Sequence, residues 1–459
     1  MAHFARIVPL SLVLFTGVTL LTHCGDSTSK PNGSGSSSGS SGSGSGAVSG
    51  GGSGSSGSTS GSPGSGSGSV SGGGSGSSGS SVGPSISGFG AGTGAAAQTS
   101  AARFLYANPA PNSGPAALTI EPGGKLMAPS ALPPGPFTPA NDQYPQTLAI
   151  DPSGSFLFQA AQALNGTPGG VFVYRINRSN GGLSSLGSYF SGKLMYADVV
   201  DNQGKFVFAF GSSGVSAYSI QSETGVLTPV TGSPFRSGAG RSFVVPAGLM
   251  AIDQTNRFLY VSTTTGIFAY TINPTTGVLT TIEGSPFGGS VKNPWAIVIT
   301  PTNSYLYEVD EMDTSKIFGY SIDQVAGALT PLTGSPFNAG TCSLMPNASG
   351  LGGMQVTNMT IPSSGKFMYD DCGIYSIDES TGSVAQVASG GPGFWPVADP
   401  TGDFVWAITS DTPACFHCAV GVAAFQIDPN TGELTEVPNS FVLLTDTEVG
   451  DVNSLAITK

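Results

Sequence analysis

Short apolar stretches alternate with polar turns throughout residues 102–459. One unit runs from Pro246 to Phe287 and contains four such stretches, the third of which is Gly266–Ile272, GIFAYTI. Aromatic and β-branched residues in runs of this length predict strands, and the polar segment Asn273–Gly277 predicts a turn. Helical periodicity is nowhere sustained over the dozen residues that it would need, so the pattern predicts an all-β fold.

The same unit recurs, with successive copies spaced 44 to 55 residues apart. The copies begin at Tyr218 (YSIQSETGVLTPVTGSPF), Tyr270 (YTINPTTGVLTTIEGSPF), Tyr320 (YSIDQVAGALTPLTGSPF) and, less regularly, at Tyr174, Tyr375 and Phe425. Four short antiparallel strands in a repeat of this length are typical of a β-propeller blade. We interpret the leading aromatic residue as core between blades, the T-G pair as a turn, and S-P-F as the connection to the next blade.

Seven innermost strands can be counted. They are Thr147–Pro152, Met195–Asp201, Leu249–Asp253, Trp295–Pro301, Val356–Pro362, Trp395–Pro400 and Ser454–Thr458. The last has no partner strand after it, whereas Arg103–Ala107 matches a second strand with no first strand before it. We therefore predict a seven-bladed propeller of four-stranded antiparallel blades, in which the C-terminal strand pairs with the N-terminal blade. Such closure removes two open edges that would favour aggregation.

The first hundred residues differ in composition from the rest. Residues 1–23 combine Arg6 with the apolar run Ile7–Leu21 and are predicted to be a signal peptide. The segment Leu21–Gly25 resembles the lipobox of bacterial lipoproteins, which implies lipidation of Cys24; the alternative is ordinary cleavage that leaves Cys24 unmodified. Residues 24–100 are almost only Gly and Ser and predict a flexible linker before a propeller at 101–459. We expect an exported protein of the cell envelope.

Charge limits the classes of partner. The formal net charge is −12 and charged residues make up 9% of the chain. Binding to nucleic acid or to an anionic membrane surface needs clustered Lys and Arg, so both are disfavoured. The partner classes that remain possible are neutral or cationic small molecules, surface partners and metal ions. We expect a monomer that contacts the membrane only through its lipid anchor.

The repeated unit, LAIDP-SG-FLF followed by VYRI, a T-G turn and GSPF, resembles the lactonase-type seven-bladed propellers, the group that contains the propeller form of 6-phosphogluconolactonase. The resemblance covers about residues 102–459. It implies hydrolysis of a sugar lactone or a related lactone. The repeated residues are scaffold, so no catalytic residue can be transferred from the family.

Four cysteines fall on one predicted face of the propeller, where the second-to-third turns and the crossovers between blades emerge. They are Cys342, Cys372, Cys415 and Cys418. In an exported domain an even number of cysteines favours disulfides, here Cys342–Cys372 and Cys415–Cys418. The alternative is a metal site that combines these thiolates with His417.

Carboxylates also concentrate on this face. They are Glu308, Asp310, Glu311, Asp313, Asp370 and Asp371. Solvated loop charges are the simplest interpretation, and a calcium site using Asp310, Asp313 and Asp370 is the alternative. Lactone hydrolysis needs a base and a cation that stabilises the oxyanion. Asp371 or Glu311 is the candidate base, and Arg241 or Lys292 the candidate cation.

Two classes of function therefore remain open. The first is an exported lactonase-like hydrolase. The second is a non-catalytic surface propeller that binds a protein, a glycan or a metal. No cofactor is firmly predicted, and a divalent cation such as calcium is the one candidate.

Overall fold

The computed structural model describes residues 102–108, 114–128, 143–163, 169–192, 195–238, 248–310, 313, 315–339, 358–410, 420–445 and 454–459. All of them belong to one compact unit, Thr93–Lys459. The predicted signal peptide 1–23, Cys24 and the linker 24–100 lie outside the described residues. Within those residues, no helix has the length and apolar character needed to cross a bilayer.

The described residues form 29 strands. The first fifteen are β1 (Arg103–Ala107), β2 (Ala116–Ile120), β3 (Leu126–Met127), β4 (Gln143–Ile150), β5 (Phe156–Ala163), β6 (Gly169–Ile176), β7 (Leu183–Gly192), β8 (Met195–Val200), β9 (Phe206–Gly211), β10 (Gly214–Ile220), β11 (Leu227–Pro229), β12 (Met250–Ile252), β13 (Phe258–Thr263), β14 (Gly266–Ile272) and β15 (Leu279–Thr281). The others are β16 (Pro294–Ile299), β17 (Tyr305–Asp310), β18 (Lys316–Ile322), β19 (Leu329–Pro331), β20 (Phe337–Asn338), β21 (Phe367–Tyr369), β22 (Gly373–Ile377), β23 (Val384–Ser389), β24 (Phe394–Ala398), β25 (Phe404–Ser410), β26 (Val420–Ile427), β27 (Leu434–Glu436), β28 (Val442–Thr445) and β29 (Leu455–Ile457).

Seven antiparallel sheets form the blades of a propeller, numbered here I to VII. Blade I is β29-β1-β2-β3, blade II β4 to β7, blade III β8 to β11, blade IV β12 to β15, blade V β16 to β19, blade VI β21 to β23 and blade VII β24 to β27. In blade VI the innermost strand predicted at Val356–Pro362 is represented by a single bridge, Thr360 to Tyr369. The predicted all-β seven-bladed fold is confirmed.

The ring closes as predicted through the C-terminal strand. Strand β29 pairs with β1 in the register Leu105 to Ile457 and Ala107 to Leu455. Beyond this register, the backbone N–H of Phe104 donates to Thr458 Oγ1 at 2.8 Å. Blade I is therefore built from strands taken from both ends of the propeller domain.

The hydrophobic core is divided among the interfaces between blades. Seven clusters of buried side chains occur in the described part of the chain, and each joins two adjacent blades. The leading tyrosines of the repeat belong to this core, since Tyr174, Tyr270 and Tyr375 are no more than 1% exposed. Their interpretation as core between blades is confirmed.

An aromatic hydrogen bond recurs between blades. Tyr307 on β17 donates its hydroxyl hydrogen to the carbonyl oxygen of Gly382 in the next blade at 2.8 Å. Equivalent bonds join Tyr106 to Gly181, Tyr260 to Gly327, Tyr369 to Gly432, and Trp406 to Gly124. The accepting glycine is the one in the third-to-fourth turn, and at Gly382 and Gly432 it is the T-G glycine. The second strand of each donor blade is thereby tied to its neighbour.

The glycine of the third-to-fourth turn, which follows Thr in four blades and Ala326 in blade V, is required for two reasons. Gly327 has φ +72°, a conformation that residues with a Cβ rarely adopt. A Cβ at this position would also lie 2.5 Å from Cδ1 of Phe258 in the preceding blade. The predicted turn role of this glycine is confirmed, and the turn is at the same time a packing contact.

The S-P-F segments turn back onto their own blade. Phe235, Phe287 and Phe337 pair with Val215, Ile267 and Ile317 near the start of the third strand. The preceding serine hydroxyl accepts a backbone N–H of that strand, as between Ser285 Oγ and Ala269 at 3.0 Å. The segment therefore fixes the point at which each crossover leaves the blade.

Candidate functional site

The ends of the second strands meet the beginnings of the innermost strands at one edge of each blade. Pro294, the first residue of β16, pairs with Asp310, the last residue of β17, and Met195 pairs with Gly211 in blade III. Buried polar side chains lie near this edge in several blades. We therefore take it as the candidate functional face.

One position on the second strand carries much of this polarity. It follows the aromatic residue that donates between blades, and it holds Gln159, Glu308 and Asp370 in blades II, V and VI. The other four blades have Ala or Val there, namely Ala107, Ala209, Val261 and Ala407. The three polar residues are all buried, so each must find hydrogen-bond partners inside the protein.

Glu308 lies within β17 and is 1% exposed, so its interpretation as a solvated loop charge is wrong. Ser262 of blade IV donates its hydroxyl hydrogen to Glu308 Oε1, and the Tyr320 hydroxyl also acts to lower the pKa of this carboxyl. Oε2 has no hydrogen-bond partner. Burial raises the pKa of Glu308 to about 7, against the opposing effect of the Ser262 hydrogen bond.

The same arrangement occurs without a charge between blades I and II. Gln159 Nε2 donates to Oδ1 of Asn108 at 2.6 Å, and the Tyr174 hydroxyl donates to Gln159 Oε1 at 3.0 Å. The same group thus occurs at two interfaces. It consists of polar residues at equivalent places in two adjacent blades and a tyrosine on a third strand. Only the group around Glu308 contains an ionisable carboxyl.

Asp370 and Asp371 occupy the turn between β21 and β22. Asp370 Oδ1 accepts the backbone N–H of Cys372 at 2.8 Å and of Gly373 at 2.7 Å, and the Tyr375 hydroxyl lies at 3.2 Å. Burial raises the pKa of Asp370 to about 6. Burial and then the neighbouring Asp370 charge hold the pKa of Asp371 well above its usual range.

The two carboxyls differ in access. Asp370 is 3% exposed, and it holds the turn together through its backbone hydrogen bonds. Asp371 is partly exposed. A buried carboxyl beside a reachable one therefore gives this turn one structural carboxyl and one that a small molecule can approach.

Cys372 completes this turn and is 3% exposed. The predicted pairing of its sulfur with Cys342 stays a prediction, because Cys342 lies outside the described residues. One ligand atom each from Asp370, Asp371 and Cys372 lies within 4.8 Å of the others. This group offers two carboxyls, whereas calcium takes 6–8 oxygen ligands.

The other two predicted calcium ligands, Asp310 and Asp313, differ in burial and in hydrogen-bond partners. Asp310 is buried, and its Oδ2 accepts the backbone N–H of Lys292 at 2.8 Å. Asp313 is exposed and accepts a hydrogen bond from Ser315 at 2.5 Å. The Lys292 ammonium is exposed and donates to the carbonyl oxygen of Gly289. Solvated charge therefore describes Asp313 but neither Asp310 nor Asp370.

Several predicted site residues lie outside the described residues, and their predictions stay untested. They are Arg241, Glu311, Cys342, Cys415, His417 and Cys418.

Comparison with known proteins supports the fold assignment. Residues 199–345, about a third of the chain, match the family described as Lactonase, 7-bladed beta-propeller. The predicted resemblance to the lactonase-type propellers is confirmed. No curated protein matches the sequence significantly.

Solved structures cover the whole propeller. A putative 6-phosphogluconolactonase from Bacteroides uniformis superposes with a TM-score of 0.59 at 14% identity, over 78% of this chain and 100% of that chain. One from Bacteroides fragilis gives 0.58 at 17% identity, over 79% and 99%. The periplasmic gluconolactonase of Pseudomonas aeruginosa gives 0.56 at 15% identity, over 78% and 99%. At these identities the similarity establishes the fold alone.

The sequence analysis missed part of the polar lining of this propeller. Asp198 on β8 is 8% exposed, and it accepts the Thr147 hydroxyl on Oδ1 at 2.5 Å. Burial raises the pKa of Asp198 to about 8. Aligning the repeats column by column would have exposed such residues, because polar side chains stand where most copies are apolar.

Proposed function

We propose that this protein hydrolyses a lactone on the candidate functional face, with Asp371 as general base. The turn of blade VI supports this assignment, because it pairs a buried structural carboxyl, Asp370, with the partly exposed Asp371. A raised pKa places the proton affinity of Asp371 closer to neutral pH, where a general base is most effective. The lactonase-type fold agrees with this class of reaction.

In the proposed reaction, ionised Asp371 takes a proton from water as the water oxygen bonds to the lactone carbonyl carbon. The carbonyl oxygen becomes an oxyanion in the tetrahedral intermediate. When the ring C–O bond breaks, the leaving oxygen takes the proton back from Asp371, and the product is the open hydroxy acid. Arg241, predicted on the crossover between blades III and IV, is the proposed cation for the oxyanion.

The proposed substrate is a sugar lactone or related lactone without a phosphate group. A phosphorylated substrate needs a basic pocket, and this chain has 15 Lys and Arg residues against 27 Asp and Glu residues. The predicted signal peptide places the reaction outside the cytoplasm.

The test is acid release from D-glucono-1,5-lactone and its 6-phosphate, measured below pH 8 to limit spontaneous opening. Asp371→Asn keeps the shape of the side chain and should lower the enzymatic rate by about 10²-fold or more. Asp313→Asn, on the corresponding turn of blade V, is the matched control and should retain the rate. Arg241→Ala should also lose activity.

The wild-type rate should rise with pH as Asp371 ionises. Background rates for wild type and all three variants would remove the hydrolase proposal and leave the non-catalytic surface propeller. Activity that survives Asp371→Asn would instead reassign the base.

We also propose that the protein is exported, anchored through lipidated Cys24, and crosslinked by Cys342–Cys372 and Cys415–Cys418. Metabolic labelling with a radioactive fatty acid should mark wild type but not Cys24→Ser. The intact mass after alkylation should show no modified propeller cysteine until a reductant is added. Alkylation of all four without reductant would contradict the disulfides.

A further inference from the structure

Three buried side chains between blades II and III have polar atoms without a hydrogen-bond partner. Both polar atoms of Gln146, Oε1 of Gln162 and Oδ2 of Asp198 are in this state. The exposed fractions of the three residues are 0%, 2% and 8%. Buried polar atoms normally have partners, and an unpaired one destabilises the folded state.

A bulge in β4 inserts Gln146 beside Thr147 on the inner edge of blade II. Pro145 pairs with Ala161 and Leu148 with Gln159, so Gln146 and Thr147 together face the single residue Ala160. Two residues opposite one are the mark of a β-bulge, which redirects side chains at strand edges. The bulge therefore places an extra polar residue on the inner edge of blade II.

Hydrogen bonds place Thr147 and Asp198 at the interface between blades II and III, and strand alternation places Gln162 on the same side. Thr147 Oγ1 donates to Asp198 Oδ1 in blade III at 2.5 Å and accepts the Asp198 backbone N–H at 2.9 Å. Ala160 packs in the core between blades II and III. Gln162 lies two residues after Ala160 on β5, so its side chain points to the same face.

The free atoms have the chemistry of a cation site. Three of them are oxygens that can accept or coordinate, and one belongs to a carboxyl group. A carboxyl buried without a cation keeps its proton, in agreement with the raised pKa of Asp198, and a bound cation would favour its ionised form. Across the described ranges the structure forms an ion pair between Arg103 and Asp399, but no basic side chain is paired with Asp198.

We propose that Gln146, Gln162 and Asp198 bind a small monovalent cation, either ammonium or an alkali-metal ion. Two amide oxygens and one carboxylate would neutralise and coordinate it, and a water on the ion would accept the remaining Gln146 N–H. This site lies at a different blade interface from Asp371 and does not depend on the proposed hydrolysis. It also shares no residue with the calcium ligands predicted from the sequence.

The Glu308 group offers an internal comparison. Its carboxyl is also buried with one free oxygen, but no unpartnered amide oxygen was found in contact with it among the described residues. A single free oxygen does not make a coordination site. Glu308→Gln is therefore the matched control for Asp198→Asn, since both remove one buried carboxyl from a blade interface.

The experiment measures thermal unfolding of the full chain in potassium, sodium or ammonium chloride, each against tetramethylammonium chloride at equal ionic strength. Binding to the folded state should raise the Tm progressively with the concentration of the small cation. Asp198→Asn should abolish this rise, and Glu308→Gln should retain it. The order of the three salts identifies whether ammonium or an alkali-metal ion is preferred.

If Asp198→Asn does not fold, Gln162→Leu replaces it and should weaken the dependence at least several-fold. Isothermal titration calorimetry with the same salts supplies a second measurement. A Tm equal in tetramethylammonium and in all three small cations would overturn the proposal and assign the free atoms to buried water. Saturation by calcium with no response to monovalent ions would overturn it as well.

Discussion

The hydroxyl of Ser262 donates to the carboxylate of Glu308 across the interface between blades IV and V. Asn108 and Gln159 form the equivalent contact between blades I and II, in which the Gln159 amide donates to Asn108 where the Glu308 carboxyl accepts. The fold thus accepts either group at this position. The difference between the two interfaces lies in their response to pH.

Glu308→Gln should stabilise the protein above pH 7. The folded pKa of Glu308 is raised to about 7 from 4.5, so the folded state holds this proton more tightly than the unfolded state. Stability from this group is present below pH 4.5, falls as pH rises towards 7, and stays low above it. Removing the charge should recover at most roughly 3 kcal/mol at pH 8, measured by urea unfolding from pH 5 to 8.

The reverse substitution is the control. Gln159→Glu places a carboxyl in the equivalent neutral group and should introduce a loss of stability with rising pH. If Glu308→Gln and wild type show parallel stability profiles over this range, the raised pKa of Glu308 is contradicted.

Removal of residues 453–459 should lower the Tm by roughly 5 °C or more. It deletes β29, the Thr458 contacts with Phe104, and the buried side chains of Leu455 and Ala456. Circular dichroism during heating measures the change. Removal of the exposed Lys459 alone should leave the Tm unchanged, and an equal Tm for both truncations would argue against closure by β29.

Tyr307→Phe should cost about 1–3 kcal/mol. The substitution leaves the carbonyl oxygen of Gly382 without its buried donor while keeping the ring. Tyr305→Phe is the matched control, because its hydroxyl donates to Glu379 at 3.3 Å in an exposed position. Denaturant unfolding measures the loss of unfolding free energy for both variants. Equal losses would show that the buried bond between blades contributes no more to stability than the exposed one.

Gly327→Ala should destabilise the protein more than Gly123→Ala. Both glycines have positive φ, +72° and +84°, so both substitutions strain the backbone. A Cβ at Gly327 also collides with Phe258, whereas one at Gly123 meets nothing within 4 Å. The difference in unfolding free energy therefore isolates the contact between blades. A similar loss at both positions would mean that backbone strain alone explains the glycine.

The fold was predictable because its signal repeats. The clearest copies, in blades III to V, share an aromatic core position, a turn that ends in Gly and an S-P-F segment, so the weaker copies can be aligned to them. The unpaired strands Arg103–Ala107 and Ser454–Thr458 then required closure. The repeat is less regular in blade VI. Of the innermost strand predicted there at Val356–Pro362, the described residues form only the bridge at Thr360.

The site was less predictable because burial of single residues is not periodic. Glu308 and Asp310 come after an apolar strand pattern, at a place where a turn is expected. The sequence alone does not show that β17 continues through both residues. The bulge at Gln146 and Thr147 leaves no mark in the sequence. The contact between Thr147 and Asp198 depends on how two blades pack, which no local pattern encodes.

Phe104 and Thr458 are 354 positions apart in the chain, and a contact of this separation is expected to form late in folding. Blades II to VII are each made of consecutive strands and can form locally, whereas blade I must wait for the longest loop in the molecule to close. Until then the edge of β1 stays unpaired and can recruit a strand from another chain. We therefore expect assembly of the ring to be slowest, and aggregation most frequent, at this one junction.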